Sequence, residues 1–284
     1  MKTGRQWIVA CFVLVCSYAV FAEVIVPNVI GDPYEEDREY LTIEGFKVYV
    51  LPVQQYSWRG YTLEQREDER LRAIRRVTAQ LKLAVTLLPP DPINELRTRV
   101  ILYMDDTCEY KDPTEIPKTV RTGKIYYSPL ESKDGTDRKL GRVTIRCYSA
   151  FVHEYPYKGI VLHELAHAWH DLFIPNGFEN HQIKTQYEWS KECLHSGHKS
   201  YWKTNVSEFF AEMSCAYFFR SKDVPHTDMS MSEKNKALVN AAWQDPPQLS
   251  EFQPAVGSCS DESQLTLNKG EEVIDRKRSS IAAH

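Results

Sequence analysis

Outside its N-terminal end, this sequence of 284 residues has no hydrophobic run long enough to cross a membrane. A spanning helix needs about 20 consecutive apolar residues. An excess of one charge is also missing, because 35 lysines and arginines stand against 39 aspartates and glutamates, which gives a formal net charge of -4. Such a balance provides no broad positive surface for nucleic acid or anionic lipid. We therefore expect neither nucleic acid nor a membrane as a partner of the mature protein.

The apolar stretch at the N-terminus runs from Ile8 to Phe21 and is short for a membrane span. Lys2 and Arg5 precede it, and the small residue Ala22 follows it, at the place where a signal peptidase would cut. Residues 1–22 are therefore expected to be a secretory signal peptide. The mature protein should then be secreted and extracellular.

Cysteines are few, and no pair has the spacing of a zinc knuckle. Two of the seven, Cys11 and Cys16, fall in the expected signal peptide. The five that remain are Cys108, Cys147, Cys193, Cys215 and Cys259. In an oxidising compartment an odd number permits at most two internal disulfide bonds and leaves one thiol free or paired with another chain. Cys108 and Cys147 each follow a strand-like run, so we pair these two first.

The sequence contains no internal repeat, and its composition, with 42% hydrophobic and 26% charged residues, is that of a globular protein. Residues 23–250 are expected to form one domain, and the polar segment 251–284 is expected to be a disordered tail. Strand patterns occur at Leu41 to Leu51, Arg99 to Met104, Ile125 to Tyr127 and Val143 to Cys147. Helical patterns occur at Leu63 to Leu88, Tyr157 to Phe173 and Val206 to Phe219, and a helix with a loop is expected over Glu179 to Lys203. This order predicts an α+β fold in which a small sheet packs against helices.

The most informative segment contains two histidines, His163 and His167, with Glu164 directly after the first. On a helix, residues four apart lie on one face, so both imidazoles can bind one metal ion. Glu164 lies about 100° further round the helix, beside the metal, where a general base is needed. Zinc is the expected ion, one per chain. The alternative is two surface histidines on an amphipathic helix, which the apolar neighbours Ile160 to Leu162 disfavour.

A catalytic zinc needs three protein ligands and one open position, so a third ligand must come from elsewhere in the chain. His170 follows on the same helix face, but it lies too far along the axis for a tetrahedral site. We expect it to support a ligand or to face the substrate. His195 and His198 lie in a predicted loop that is able to fold back, and both remain candidates.

Glu208 is the best candidate for the third ligand. It belongs to the second predicted helix, next to Phe209 and Phe210, which would keep the site dry. Two histidines and one glutamate are an established catalytic zinc set. Glu212 lies one turn further on and would bond the free N–H of a ligand histidine. The reverse assignment, with Glu212 as the ligand and Glu208 in support, stays open.

At these residues the chain resembles a known family, the zinc metallopeptidases whose domain is similar to the catalytic domain of anthrax lethal factor, a group that includes the Pro-Pro endopeptidases. The matching segments are Val161 to His170, Glu208 to Glu212, and Ala216 to Phe218. The resemblance covers residues from about 159 to 219. It implies a zincin-like fold, with one helix carrying the two histidines and a second carrying the glutamate.

The resemblance also implies a role for each residue of the site. His163, His167 and Glu208 would be the zinc ligands, and Glu164 would be the general base. In the family, a tyrosine seven residues before the zinc glutamate stabilises the oxyanion. That position is Tyr201 in this sequence.

The expected function is that of a secreted zinc metallopeptidase, a hydrolase that cleaves peptide bonds in peptide or protein substrates. One alternative is a secreted binding or matrix protein that keeps the fold without turnover. Another is a zinc hydrolase that acts on something other than peptides. Catalytic and metal-binding residues are both present in the sequence, which favours the enzyme.

Overall fold

The structure is a computed structural model that describes residues 39–53, 62–107, 109–110, 121–122, 125–130, 140–153, 159–194, 201–219 and 231–255. The expected signal peptide lies outside these ranges, as do His195, His198, Cys108 and Cys259. The predictions made for them are not addressed by the structure.

Within the described residues, seven strands form two sheets. Their bounds are β1 Leu41–Ile43, β2 Phe46–Val50, β3 Val100–Asp105, β4 Glu109–Tyr110, β5 Arg121–Thr122, β6 Ile125–Leu130 and β7 Leu140–Arg146. Five of them make a mixed sheet in the spatial order β1-β2-β3-β7-β6, and β4 pairs with β5 in a small separate sheet. Strands β2, β3 and β7 run parallel, whereas β1 and β6 are antiparallel to their neighbours. Strand β6 therefore lies at one edge of the large sheet and runs antiparallel to its neighbour, β7.

The described part of the chain contains seven α-helices. They are α1 Leu63–Leu87, α2 Pro90–Arg99, α3 Tyr148–His153, α4 Ile160–Leu172, α5 His181–Cys193, α6 Val206–Phe218 and α7 Glu233–Gln244. No helix among the described residues is both long enough and apolar enough to cross a bilayer. The α+β prediction is confirmed, and α1, α4 and α6 lie within three residues of their predicted bounds. Three helices, α2, α3 and α7, were not predicted.

One predicted strand is wrong, because the segment from Leu41 to Leu51 is a hairpin of two strands. Glu44 and Gly45 connect them, with φ values of 51° and 84°. Two consecutive residues with positive φ match the right-handed twist of the flanking strands, so such turns favour tight hairpins. Gly45 also has no room for a side chain, since an added Cβ would lie 2.7 Å from Nε of Arg97.

Two prolines separate α1 from α2. Pro89 and Pro90 follow the end of α1, and Pro90 is also the first residue of α2. Proline suits this position because its missing N–H would have no partner in the first helical turn. The short α2 then packs against β2 and β3 and leads directly into β3.

The core lies where the large sheet meets α2 and α4, with α1 packed on α4. Along β2, Phe46 and Val48 are fully buried while Lys47 between them is exposed, as the two-residue period of a strand requires. The helix α4 is buried along almost its whole length and contacts α1, α6, β6 and β7. The segment with the two histidines is thus enclosed by the rest of the domain.

The unpredicted helix α7 supports α4 through two tryptophans. Trp243 is fully buried and stacks on Trp169 of α4, with ring centroids 5.1 Å apart. The indole N–H of Trp169 donates to the carbonyl of Ala242 at 2.8 Å. Its polar atom is therefore satisfied although the ring is buried.

The folded part extends beyond the predicted boundary at residue 250. A 3-10 helix spans Pro246–Glu251, and the amide of Ala255 donates to Oε1 of Gln186 in α5 at 2.8 Å. Gln186 is fully buried and also donates to Asn235 of α7. Residues 251–255 therefore belong to the domain and not to the tail.

The cysteines of the described residues divide into two kinds. Cys147 and Cys193 are disulfide-bonded. Cys215 is a free thiol buried in the interior, where it cannot reach another chain. The pairing of Cys147 with Cys108 stays a prediction, because Cys108 is outside the described residues.

We expect Trp243→Ala to lower the free energy of unfolding by about 3–5 kcal/mol, the range for removing a large buried aromatic side chain. Denaturant unfolding followed by circular dichroism measures this change. The matched control is Leu71→Ala, at a 40% exposed position on α1, and it should cost little. Equal effects of the two substitutions would contradict the supporting role of α7.

Candidate metal centre

Helix α4 depends on a side chain from α1 at its start. Its N-cap residue is Gly159, which provides no side-chain hydrogen bond. Instead, the amide of Val161 donates to Oε1 of the buried Gln80 at 3.0 Å. The first amides of a helix have no partner within the helix, and inside a protein each needs one. Gln80 therefore fixes the helix just before the two histidines.

His163 and His167 lie on one face of α4, as their spacing predicts. Their Nε2 atoms are 3.1 Å apart, and their ring centroids are 4.7 Å apart. Both residues are buried, with exposed fractions of 6% and 8%. The alternative of two surface histidines is thus wrong.

Glu208 completes the group from the first turn of α6. The side chain of Asn205 caps this helix by accepting from the amide of Glu208 at 2.8 Å. Oε2 of Glu208 lies 3.1 Å from Nε2 of His163 and 3.4 Å from Nε2 of His167. His163, His167 and Glu208 form a group of donors close enough to hold one metal ion.

The donor triangle, defined as Nε2 of His163, Nε2 of His167 and Oε2 of Glu208, has the dimensions of a zinc site. Its sides are 3.1, 3.1 and 3.4 Å. Zinc binds such atoms at roughly 2.0–2.1 Å, so tetrahedral geometry places neighbouring ligands about 3.3 Å apart. Two nitrogens and one carboxylate oxygen are also a donor set that suits this ion. The residues present therefore fit zinc in both spacing and chemistry.

Glu212 contacts the far side of His163. Its Oε1 lies 3.1 Å from Nδ1 of His163, and Glu212 is 5% exposed. A proton on Nδ1 that is donated to Glu212 leaves the lone pair of Nε2 directed into the donor triangle. The sequence left open which of the two glutamates is the ligand. This geometry matches Glu208 as the ligand and Glu212 as the residue that orients His163.

The donor triangle is electronegative. Burial by itself would raise the pKa of Glu208, but hydrogen bonds with His163 and His167 hold it well below its usual range. Glu208 is therefore ionised at neutral pH. With the second carboxylate of Glu212 behind His163, the pocket favours a cation.

Glu164 directly follows His163 in α4, near enough for its charge to act on that imidazole, and it is held by a strand. Its Oε2 accepts from the backbone amide of Tyr127 in β6 at 2.8 Å. The residue is buried, with 4% exposed. The base predicted from the sequence is therefore fixed by an edge strand of the sheet, which the sequence did not indicate.

Tyr201 lies at the open side of the site. It belongs to a 3-10 turn, Tyr201–Lys203, that leads into α6 and is anchored by the fully buried Trp202. The Tyr201 hydroxyl donates to Oε1 of Glu208 at 3.2 Å, and its ring centroid is 6.2 Å from that of His163. Tyr201 is 49% exposed whereas the two histidines are almost fully buried, so the donor triangle is approached from the Tyr201 side.

His170 is fully buried, packed at 4.8 Å from the ring of Phe210 and 5.0 Å from that of Phe178. Burial lowers the pKa of its imidazole to about 3, so the ring is neutral. Its nitrogens make no side-chain hydrogen bond within the described part of the chain. It does not face a substrate, so that half of the expectation is corrected, while its support of a ligand stays a prediction. The ring packs α4 against α6.

Sequence reasoning missed two residues of this site. Tyr127 is separated from Glu164 by several elements and carries no local signature of the contact. Cys215 is a fully buried thiol whose Sγ lies 3.8 Å from the carbonyl of Gly159, under the start of α4. Cys215 lies one turn beyond Glu212 on the same face of α6, so the helical period could have indicated that it lies near the site.

Comparisons with family models, with curated proteins and with solved structures found no match to this chain. The resemblance to the lethal-factor-like metallopeptidases therefore rests on the residues of the two motifs and on their spacing.

We expect the folded protein to retain about one zinc per chain after dialysis, because three ligands of suitable chemistry converge. The double variant His163→Ala, His167→Ala should lose that zinc. The control is His153→Ala, since the half-exposed His153 bonds to Glu69 away from the donor triangle. Metal analysis of the dialysed proteins measures the content, and zinc retained by the folded double variant would rule out this site.

Proposed function

We propose that this protein is a secreted zinc metallopeptidase with a zincin-like fold. One observation carries the proposal: a buried carboxylate that does not belong to the donor triangle, that of Glu164, lies beside it and is bonded to the edge strand β6. A purely structural zinc site is closed by four protein ligands, and it needs no such carboxylate. Three ligands with a base beside them are the arrangement of a hydrolase.

A peptide substrate is supported by the position of β6. This strand ends the large sheet, and no described strand pairs with its outer edge. The amide of Tyr127 is directed away from β7, toward Glu164, so this outer edge borders the site. An extended peptide can add to such an edge through main-chain hydrogen bonds. The scissile bond would then lie next to the base.

The proposed reaction divides its tasks among the residues of the site. His163, His167 and Glu208 would hold zinc, which when bound polarises a carbonyl and acidifies a water. Glu164 takes a proton from that water on its carboxylate and passes it to the leaving amine. Because Oε2 of Glu164 is bonded to the amide of Tyr127, Oε1 is the oxygen left for this proton.

Tyr201 is proposed to donate to the oxyanion that forms on the substrate. Burial and the nearby carboxylate of Glu208 raise the pKa of its phenol to about 12, so the hydroxyl keeps its proton at neutral pH. The hydroxyl now donates to Oε1 of Glu208. It must turn from that oxygen toward the substrate, and its half-exposed position on a short turn leaves room for this.

We expect Glu164→Gln to keep its zinc and to lose turnover by at least about 10²-fold, because an amide cannot take the proton. Peptide-library cleavage and metal analysis on the same samples measure both quantities. Glu179→Gln, at an exposed position in the turn after α4, serves as the control. Parallel loss of zinc and turnover would show that Glu164 holds the metal or the helix. Full activity of Glu164→Gln would exclude Glu164 as the base, whereas a wild-type protein that binds zinc and cleaves no peptide would favour the binding protein.

Tyr201→Phe removes only the hydroxyl and should lower kcat by roughly 10²-fold with little change in KM or zinc content. Steady-state kinetics on a cleaved peptide measures the changes in kcat and in KM separately. Tyr217→Phe is the control, because that exposed hydroxyl bonds to Asn240 on α7. The hydroxyl of Tyr187 donates to the carbonyl of Lys203 and has a structural role. If Tyr187→Phe were inactive and Tyr201→Phe were active, the oxyanion role would pass to Tyr187.

A further inference from the structure

Tyr127 joins the edge strand β6 to helix α4 at two points. Its backbone amide donates to Oε2 of Glu164 at 2.8 Å, and its hydroxyl donates to Oδ2 of Asp171 at 2.7 Å. Glu164 and Asp171 are separated by about two helical turns, so they lie on the same side of α4. One residue of the strand therefore bonds to the helix once through its backbone and once through its side chain.

The ring of Tyr127 packs against β7 at a glycine, Gly141. Gly141 lies beneath it, and an added Cβ there would be 2.5 Å from Cε2 and 3.0 Å from the hydroxyl oxygen of Tyr127. On its other side the ring contacts Phe178 edge-on, with centroids 6.5 Å apart. The hydroxyl is thus directed at Asp171 by packing as well as by the hydrogen bond.

The contact with Asp171 keeps the phenol as a donor. Burial first, and then the hydrogen bond and charge of Asp171, raise the pKa of Tyr127 far above its usual value. The hydroxyl therefore keeps its proton at neutral pH.

We propose that Tyr127 is a positioning residue for Glu164, an inference that rests on the proposed function of Glu164 as the base. A glutamate side chain has several rotatable bonds, and a base works only when its oxygen is aimed at the proton that it accepts. The amide of Tyr127 fixes Oε2 and thereby aims Oε1. The bond from its hydroxyl to Asp171 keeps that amide in place, although β6 is an edge strand with a partner on one side among the described elements.

Kinetics provide the first test. Tyr127→Phe should lower kcat by about 10-fold with little change in KM or zinc content, since only the aim of Glu164 is lost. Gly141→Ala should reproduce this pattern, because the added methyl displaces the ring without altering the tyrosine. Asp171→Asn keeps an acceptor oxygen and should stay close to wild type, whereas Asp171→Leu should match Tyr127→Phe.

The matched control for kinetics is Tyr148→Phe. Its buried hydroxyl donates to the carbonyls of Leu51 and Met104, away from α4, at 2.6 and 3.1 Å. Removing it should lower stability and leave kcat unchanged. If both tyrosine variants lowered kcat equally, the effect would be one of stability alone, and the positioning role would be overturned.

Amide hydrogen exchange provides a second test that needs no turnover. The amide of residue 127 should be protected in the wild type, and Glu164→Ala should remove that protection. Tyr127→Phe should speed its exchange roughly 5-fold or more, the effect of losing one hydrogen bond, while Tyr148→Phe should not. Unchanged exchange at residue 127 in Tyr127→Phe would overturn the proposal. If the wild-type protein cleaved no peptide, the proposed function would fail, and the exchange rates would still decide whether Tyr127 holds Glu164.

Discussion

The packing of α6 against α4 is the interaction on which the site depends, because it brings two carboxylates against one buried imidazole. Glu208 contacts Nε2 of His163, and Glu212 contacts Nδ1 of the same ring. Removing a carboxylate from water is costly unless its charge is paired. A divalent cation in the donor triangle would provide that pairing. Contacts of two carboxylates with one imidazole destabilise an ordinary core, but they are the contacts that a metal site requires.

Glu208 and Glu212 of α6 lie at different depths in the protein. This difference matches the separate roles proposed for them, ligand and support of a ligand. Glu208 lies in the first helical turn, near the solvent and beside the positive end of the helix dipole, where a carboxylate is stabilised. Glu212 lies one turn deeper, in the core. A ligand has to be accessible enough to admit a metal, whereas a residue that orients a histidine works best when it is rigid. Asn205 determines which glutamate lies in the first turn of α6, because its capping hydrogen bond sets where that turn begins.

Predictions from the sequence were accurate where the determining contacts are local. The spacing of His163 and His167 is a property of a single helix, and the bounds of α6 follow from the pattern of a few consecutive residues. The hairpin at Glu44 and the helix α7 were missed because alternation and helical period do not locate every turn or every short amphipathic segment. Tyr127 was unpredictable for another reason: its contact with Glu164 arises from the order of strands in the sheet, which no local pattern encodes.

The edge strand and the turn before α6 act on two different carboxylates. Strand β6 holds Glu164 through a backbone amide, and the turn at Tyr201 directs a hydroxyl toward Glu208. A base has to be aimed before the substrate arrives, whereas an oxyanion donor is needed only once charge develops. The exposures agree with this order, since Glu164 is buried and fixed while Tyr201 is half exposed on a short turn. The site therefore combines a rigid side, built on the sheet, with an adjustable side at the entrance, and a substrate carbonyl would lie between the two.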